Sequence, residues 1–130
     1  MEAAISVCAQ VAKLTTLLQH GGQHEGRQLL SAAKLAEALY KTKAMGLPSG
    51  RRNQYGEARY HLSFRSEPYR TATGCFFHIP VMAGLGGNVV VLLPNGISAF
   101  RFADGGYYDV DTMVLAGEAI RPFPCSAESP

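Results

Sequence analysis

Apolar residues recur at three- and four-residue steps between Ile5 and His20, at Val7, Val11, Leu14, Leu17 and Leu18. That spacing puts them on one stripe of an amphipathic helix. Gly21-Gly22 follows at once and predicts the stop, because glycine accepts the left-handed backbone that closes a helix. After the polar connector Gln23 to Gln28, Ser31 reads as the N-cap of a second helix, Ala32 to Tyr40, with Leu35, Ala36 and Leu39 as its apolar face. A third stripe, Met113, Val114, Ala116, Gly117 and Ile120, starts at Val110-Asp111 and is ended by Pro122.

Between the second and third helices the period shortens to two. Residues 41–56, rich in Gly, Pro, Ser, Arg and Asn, read as an exposed loop. Arg59 to Arg65 alternates and predicts a strand that Glu67-Pro68 breaks. Cys75 to Val81 predicts a further short strand or extended lead-in. Next comes the glycine cluster Met82-Ala83-Gly84-Leu85-Gly86-Gly87-Asn88, opening the apolar run Val89 to Leu93. The turn Pro94-Asn95-Gly96 and a strand from Ile97 to Phe102 complete a hairpin. Glycines at the mouth of a hairpin leave the backbone bare to close approach, as at an active-site edge. Asp104-Gly105-Gly106 turns the chain toward the last helix. The expected fold is α+β: an antiparallel sheet of about three strands, with two N-terminal helices and a C-terminal helix packed on it.

Composition narrows the function classes. The 130 residues fit a single domain, 1–130, and the balance of 47% apolar to 17% charged excludes disorder. A net charge of +2 gives no electrostatic footprint for nucleic acid, and Lys41-Thr42-Lys43 and Arg51-Arg52 read as solvated faces. No run approaches the roughly 20 apolar residues of a membrane-spanning segment. The short apolar N-terminus carries Glu2, Gln10 and Lys13, unlike a signal peptide. Cys8, Cys75 and Cys125 cannot all pair within one chain and match no zinc spacing, so buried or free thiols are expected, with no sign of an oxidising compartment.

Most of the chemically suggestive residues have a plainer reading. Ser31-Ala32-Ala33-Lys34 is formally a Ser-x-x-Lys motif, which would set a lysine base one helical turn from a serine, but Ser31 fits an N-cap better. His20 and His24 flank a glycine turn without a carboxylate or cysteine to complete a metal set, and read as solvated. His78, beside Phe77, reads as a half-buried sheet residue, with a role near the pocket mouth as the alternative. Gly84-Leu85-Gly86-Gly87 precedes a strand rather than a helix, so it lacks the geometry of a phosphate loop. Most aromatic residues are assigned to core and sheet packing, with Tyr107 or Tyr108 as a stacking candidate.

Three blocks in order resemble the C-terminal part of the serine β-lactamase and penicillin-binding-protein-like hydrolases. They are Val11 to Gly22 with Gly26-Arg27-Gln28-Leu29-Leu30-Ser31; Gly84 to Pro94 with the turn and strand to Phe102; and Asp109 to Pro122. The resemblance implies a partial β-lactamase/transpeptidase-like fold, in which Gly84 to Pro94 is the active-site edge strand. It implies an acyl-enzyme hydrolase acting on a small amide or ester, without a cofactor or metal. Met82-Ala83-Gly84 falls on the family's Lys-Thr-Gly or His-x-Gly triplet, where only the glycine matches, and Met82 cannot supply the charge or hydrogen bond of Lys or His. Leu85 falls where a backbone N–H contributes to the oxyanion hole, with Gly86 and Gly87 keeping the approach open.

The family's nucleophile and tyrosine motifs normally precede these blocks. The chain therefore reads as a C-terminal fragment or truncated relative, inactive alone. Its location would be periplasmic or secreted if a parent carries a signal peptide, and cytoplasmic otherwise. A second reading is a stand-alone α+β binding or self-assembly module, forming a homo-oligomer or pairing with a missing N-terminal half. A third is a small esterase using Ser31 and Lys34.

Overall fold

The computed structural model, which describes residues 2–41, 46–84, 87–103, 105 and 109–125, turns the three apolar stripes into three helices. These are α1 (Glu2–Gln19), α2 (Ala32–Ala38) and α3 (Val110–Ile120). Gly21 and Gly22 end α1 with φ of 68° and 84°. A Cβ on Gly22 would stand 2.7 Å from the Leu30 carbonyl oxygen, so only glycine fits there. Ser31 caps α2, its Oγ accepting from the Lys34 N–H at 3.3 Å, and Asp109 caps α3 in the same way through the Asp111 N–H. The second helix ends at Ala38, shorter than the expected span to Tyr40, because Tyr40 takes a left-handed φ of 60°.

The sheet is larger than the three strands expected. A short hairpin of β1 (Gln23–His24) and β2 (Arg27–Gln28) follows α1. Then β3 (Leu47–Asn53), β4 (Gly56–His61), β5 (Phe64–Arg70), β6 (Phe76–Ala83), β7 (Val89–Leu92) and β8 (Ser98–Arg101) form a six-stranded antiparallel meander in chain order. The stretch expected as an exposed loop contains β3, whose side chains are mostly exposed and therefore show no apolar alternation. The alternating stretch Arg59 to Arg65 is two strands, divided at Leu62 and Ser63, which turn with φ of 47° and 71°.

Pro68, expected to break a strand, lies inside β5. The β4–β5 pairing ends at Arg59 with Ser66, so no ladder bond on that side needs a Pro68 N–H. The Asn53 amide donates to the Pro68 carbonyl at 2.9 Å, replacing a strand partner with a side chain. Pro80 repeats the arrangement in β6, since the β6–β7 pairs span only Val81 to Ala83.

Helices cover both faces of the sheet. On one face Leu18 of α1 and Leu35 and Ala38 of α2 pack, with Leu39, on Phe64, Val90 and Leu92. On the other, Val110 and Val114 of α3 and Phe123 pack on Tyr69, Ile79, Val81, Val89, Val91 and Leu93. This double cover explains why β7 is an unbroken apolar run: all its residues are buried, alternately to either side. Each such Val or Leu contributes roughly 1.5–3 kcal/mol. The tertiary structure also joins Cys75 to Cys125 in a disulfide with Cα atoms 5.8 Å apart, correcting the expectation of unpaired thiols; Cys8 is free and exposed.

Candidate functional site

The glycine cluster connects two strands. β6 runs through Met82 and Ala83, the Gly84 N–H donates to the Asn88 carbonyl at 2.9 Å, and β7 returns from Val89. Gly84 is exposed with nothing within 4 Å of a Cβ position, so its backbone is open. Arg101 secures the far side, its Nη1 donating to the Gly87 carbonyl at 2.8 Å. Leu85, Gly86, Tyr107 and Tyr108 lie outside the described residues.

The strand expected at the edge is not there. β7 is held between β6 and β8, and the outer strands of the sheet are β3 and β8. What remains accessible is the end of β6, because β5 pairs with it only as far as Val81. Met82, opposite Val90, is turned toward the α1/α2 face and packs against the apolar cluster there, as a partly buried thioether.

His78 shares that face, two strand steps before Met82. Its ring stands edge-on to Phe76 at 5.1 Å and tilted to Tyr40 at 6.2 Å, and its Nδ1 lies 2.9 Å from the Ser66 Oγ. A serine hydroxyl against an imidazole has the composition of a nucleophile and base. Ser66, however, is 0% exposed, so no substrate reaches it. Its hydroxyl satisfies the histidine and serves packing.

Desolvation of the ring beside Phe76 and Tyr40, and then the charge of Arg59, hold the His78 imidazole below its ordinary value of 6.5, although the residue as a whole is exposed rather than half-buried. The folded chain thus binds that proton more weakly than the unfolded chain does. Stability from His78 is complete above about pH 6.5 and is lost as pH falls through the lower folded value. Melting curves between pH 7.5 and 5 should show this decline, and His78→Gln should flatten it; an unchanged slope in the variant would refute the assignment.

Ser31 and Lys34 belong to a different network. The Lys34 Nζ lies 3.6 Å from Glu37, whose other oxygen meets the His61 Nε2 at 3.0 Å. The hydrogen bond with His61, and then the Lys34 charge, keep the half-buried Glu37 carboxyl below its usual range. Tyr40, just beyond α2, donates to the Phe64 carbonyl at 2.6 Å and ties the helix to β5. The lysine ammonium is therefore directed toward a carboxylate, and the Ser31 oxygen toward the helix N-terminus. His24 sits beside Glu25 at 3.8 Å on the exposed β1–β2 turn, and no group of three metal-ligating side chains occurs among the described residues.

The sequence reading missed the polar face around His78. Glu37, Tyr40, Arg59, His61 and Ser66 come together only when α2 lies on the β4–β5 hairpin, and no local motif marks them. The signal available was the Leu62-Ser63 turn, which folds one alternating stretch into two paired strands.

Comparison with known proteins adds no relative: no protein-family model, curated protein or solved structure matches this chain.

Proposed function

We propose that this chain is the C-terminal part of a β-lactamase-like serine hydrolase domain, with a partial β-lactamase/transpeptidase-like fold, and that it is catalytically silent alone. The observation that carries this reading is the convergence of the three resembling blocks on one sheet. α1 and α2 cover one face of β6, β7 and β8, and α3 covers the other. In this reading the exposed end of β6 at Gly84 and the following glycines form one wall of an acyl-enzyme pocket, contributing backbone and shape. In this reading the serine nucleophile that attacks the amide or ester comes from another segment.

The expectation of silence rests on the two serines that stand near a lysine or a histidine, since Ser31 caps a helix and Ser66 is buried. Purified chain should turn over nitrocefin and p-nitrophenyl acetate no faster than buffer does. Ser31→Ala should cost about 1 kcal/mol of stability and leave that baseline unchanged. Turnover that disappears in Ser31→Ala or Lys34→Ala, with the fold intact, would replace this reading with the small esterase. The coding sequence upstream of Met1 supplies the positive arm: an in-frame Ser-x-x-Lys and tyrosine motif supports the proposal, and their absence from that frame sinks it.

A binding or self-assembly module is the rival favoured by one observation. Leu115 and Ile120 on the outer side of α3 are 55% and 73% exposed, and Val7 and Leu14 of α1 are 53% and 49% exposed. Light scattering separates the two, because a self-assembling module forms a defined oligomer whose mass is independent of any upstream segment.

A further inference from the structure

β5 places Arg65 on the sheet face opposite α1 and α2, and folding covers most of it: the side chain is 13% exposed. Its acidic neighbour is Glu67, with Oε1 2.6 Å from Nε, yet Nε is buried without a hydrogen bond because the approach is off the donor direction. Nε is the one buried side-chain donor without a hydrogen bond among the described residues, so the Nη groups are not sealed from solvent. A covered guanidinium costs free energy until its donors are met.

Arg65 borders an open cleft of about 410 Å³, which it shares with Arg51 of β3, Tyr60 of β4, Ser63 of the turn, and Val81 and Ala83 of β6. This lies within the size range of small-molecule sites. Arg51 is exposed and has no acidic partner among the described residues, whereas the next residue, Arg52, lies 3.8 Å from Glu57. Two arginines thus line one cleft, and among the described residues Glu67 is the one carboxylate paired with either of them. The hydroxyls of Ser63 and Tyr60 add donors, and Val81 and Ala83 supply an apolar floor.

We propose that this cleft binds the oxyanion group, carboxylate or phosphate, of a small molecule. The guanidinium fork matches either group through paired N–H donors, and the unburied Nη groups of Arg65 are the ones a ligand oxygen in the cleft would meet. This inference does not rest on the hydrolase reading. It stands on Arg65, Arg51 and the shape of the sheet.

The test is an NMR titration of the intact chain with inorganic phosphate and, separately, with benzoate. Saturable shifts confined to the amides of Arg51, Ser63, Arg65 and Ala83 are expected, and whichever probe binds tighter names the source of the oxyanion. Arg51→Glu, at an exposed position that leaves Val91 and the core resonances in place, should abolish the shifts. Arg65→Lys should weaken binding about tenfold by removing the fork. No saturable shift with either probe, or equal affinity in both variants, overturns the proposal.

Discussion

Reducing the Cys75–Cys125 disulfide lowers the free energy of unfolding by about 4 kcal/mol, the chain-entropy value for a closed loop of this length. The two cysteines are 50 residues apart in sequence, so the bond removes much of the unfolded chain's freedom. In the folded state it fastens the segment after α3 to the start of β6. The consequences are measurable without any activity. Denatured but unreduced protein should show one reactive thiol, that of Cys8, and reduced protein three. Urea titrations of oxidised chain and Cys75→Ser should differ by the stated amount. Three reactive thiols in freshly purified protein from an oxidising compartment would refute the bond. A structural disulfide of this kind persists in oxidising surroundings and is opened by a reducing buffer.

Phe123→Ala should cost about 3–5 kcal/mol, the range for emptying a buried phenyl site. Phe123 is 5% exposed although it follows Pro122, outside any regular element. Its ring meets Tyr69 and Phe77 edge-on, with centroids at 5.8 and 5.6 Å, and so closes the core below α3. Asn95 fixes the same segment by donating to the carbonyls of Gly117 and Arg121 at 2.9 and 2.7 Å. Urea midpoints should fall with little change in slope, and the Tyr69 and Phe77 resonances should move. A loss below about 1 kcal/mol would show that the site refills. Because Phe123 and Cys125 hold one segment, the loss in Phe123→Ala with Cys75→Ser should be smaller than the two losses added.

The elements that were legible carry their signal within a few neighbouring residues. α1 and its glycine stop, the Ser31 cap, the Pro94-Asn95-Gly96 hairpin and α3 each depend on local period or local backbone chemistry. β3 was not legible because an exposed strand in an outer position buries no face and writes no alternation. β5 was obscured by Pro68, whose missing N–H matters only if a neighbour strand needs it. At the candidate site the open glycine backbone could be read directly. The placement of β7 inside the sheet could not, because hairpin signals fix which strands are joined and not what pairs beyond them.

By itself, the sequence determined three helices, the Gly21-Gly22 stop and the Ser31 cap, the β7–β8 hairpin and an α+β class, since these follow from periodicity and from residues with restricted or permissive φ. Only the tertiary structure decided the size of the sheet, the Cys75–Cys125 bond, the union of Ser66 with His78 and the cleft at Arg65. Each of these joins residues on different elements, and the contact exists only once both faces of the sheet have been covered. Pairing across a sheet is set by the packing of all its strands at once, which no single stretch of chain encodes.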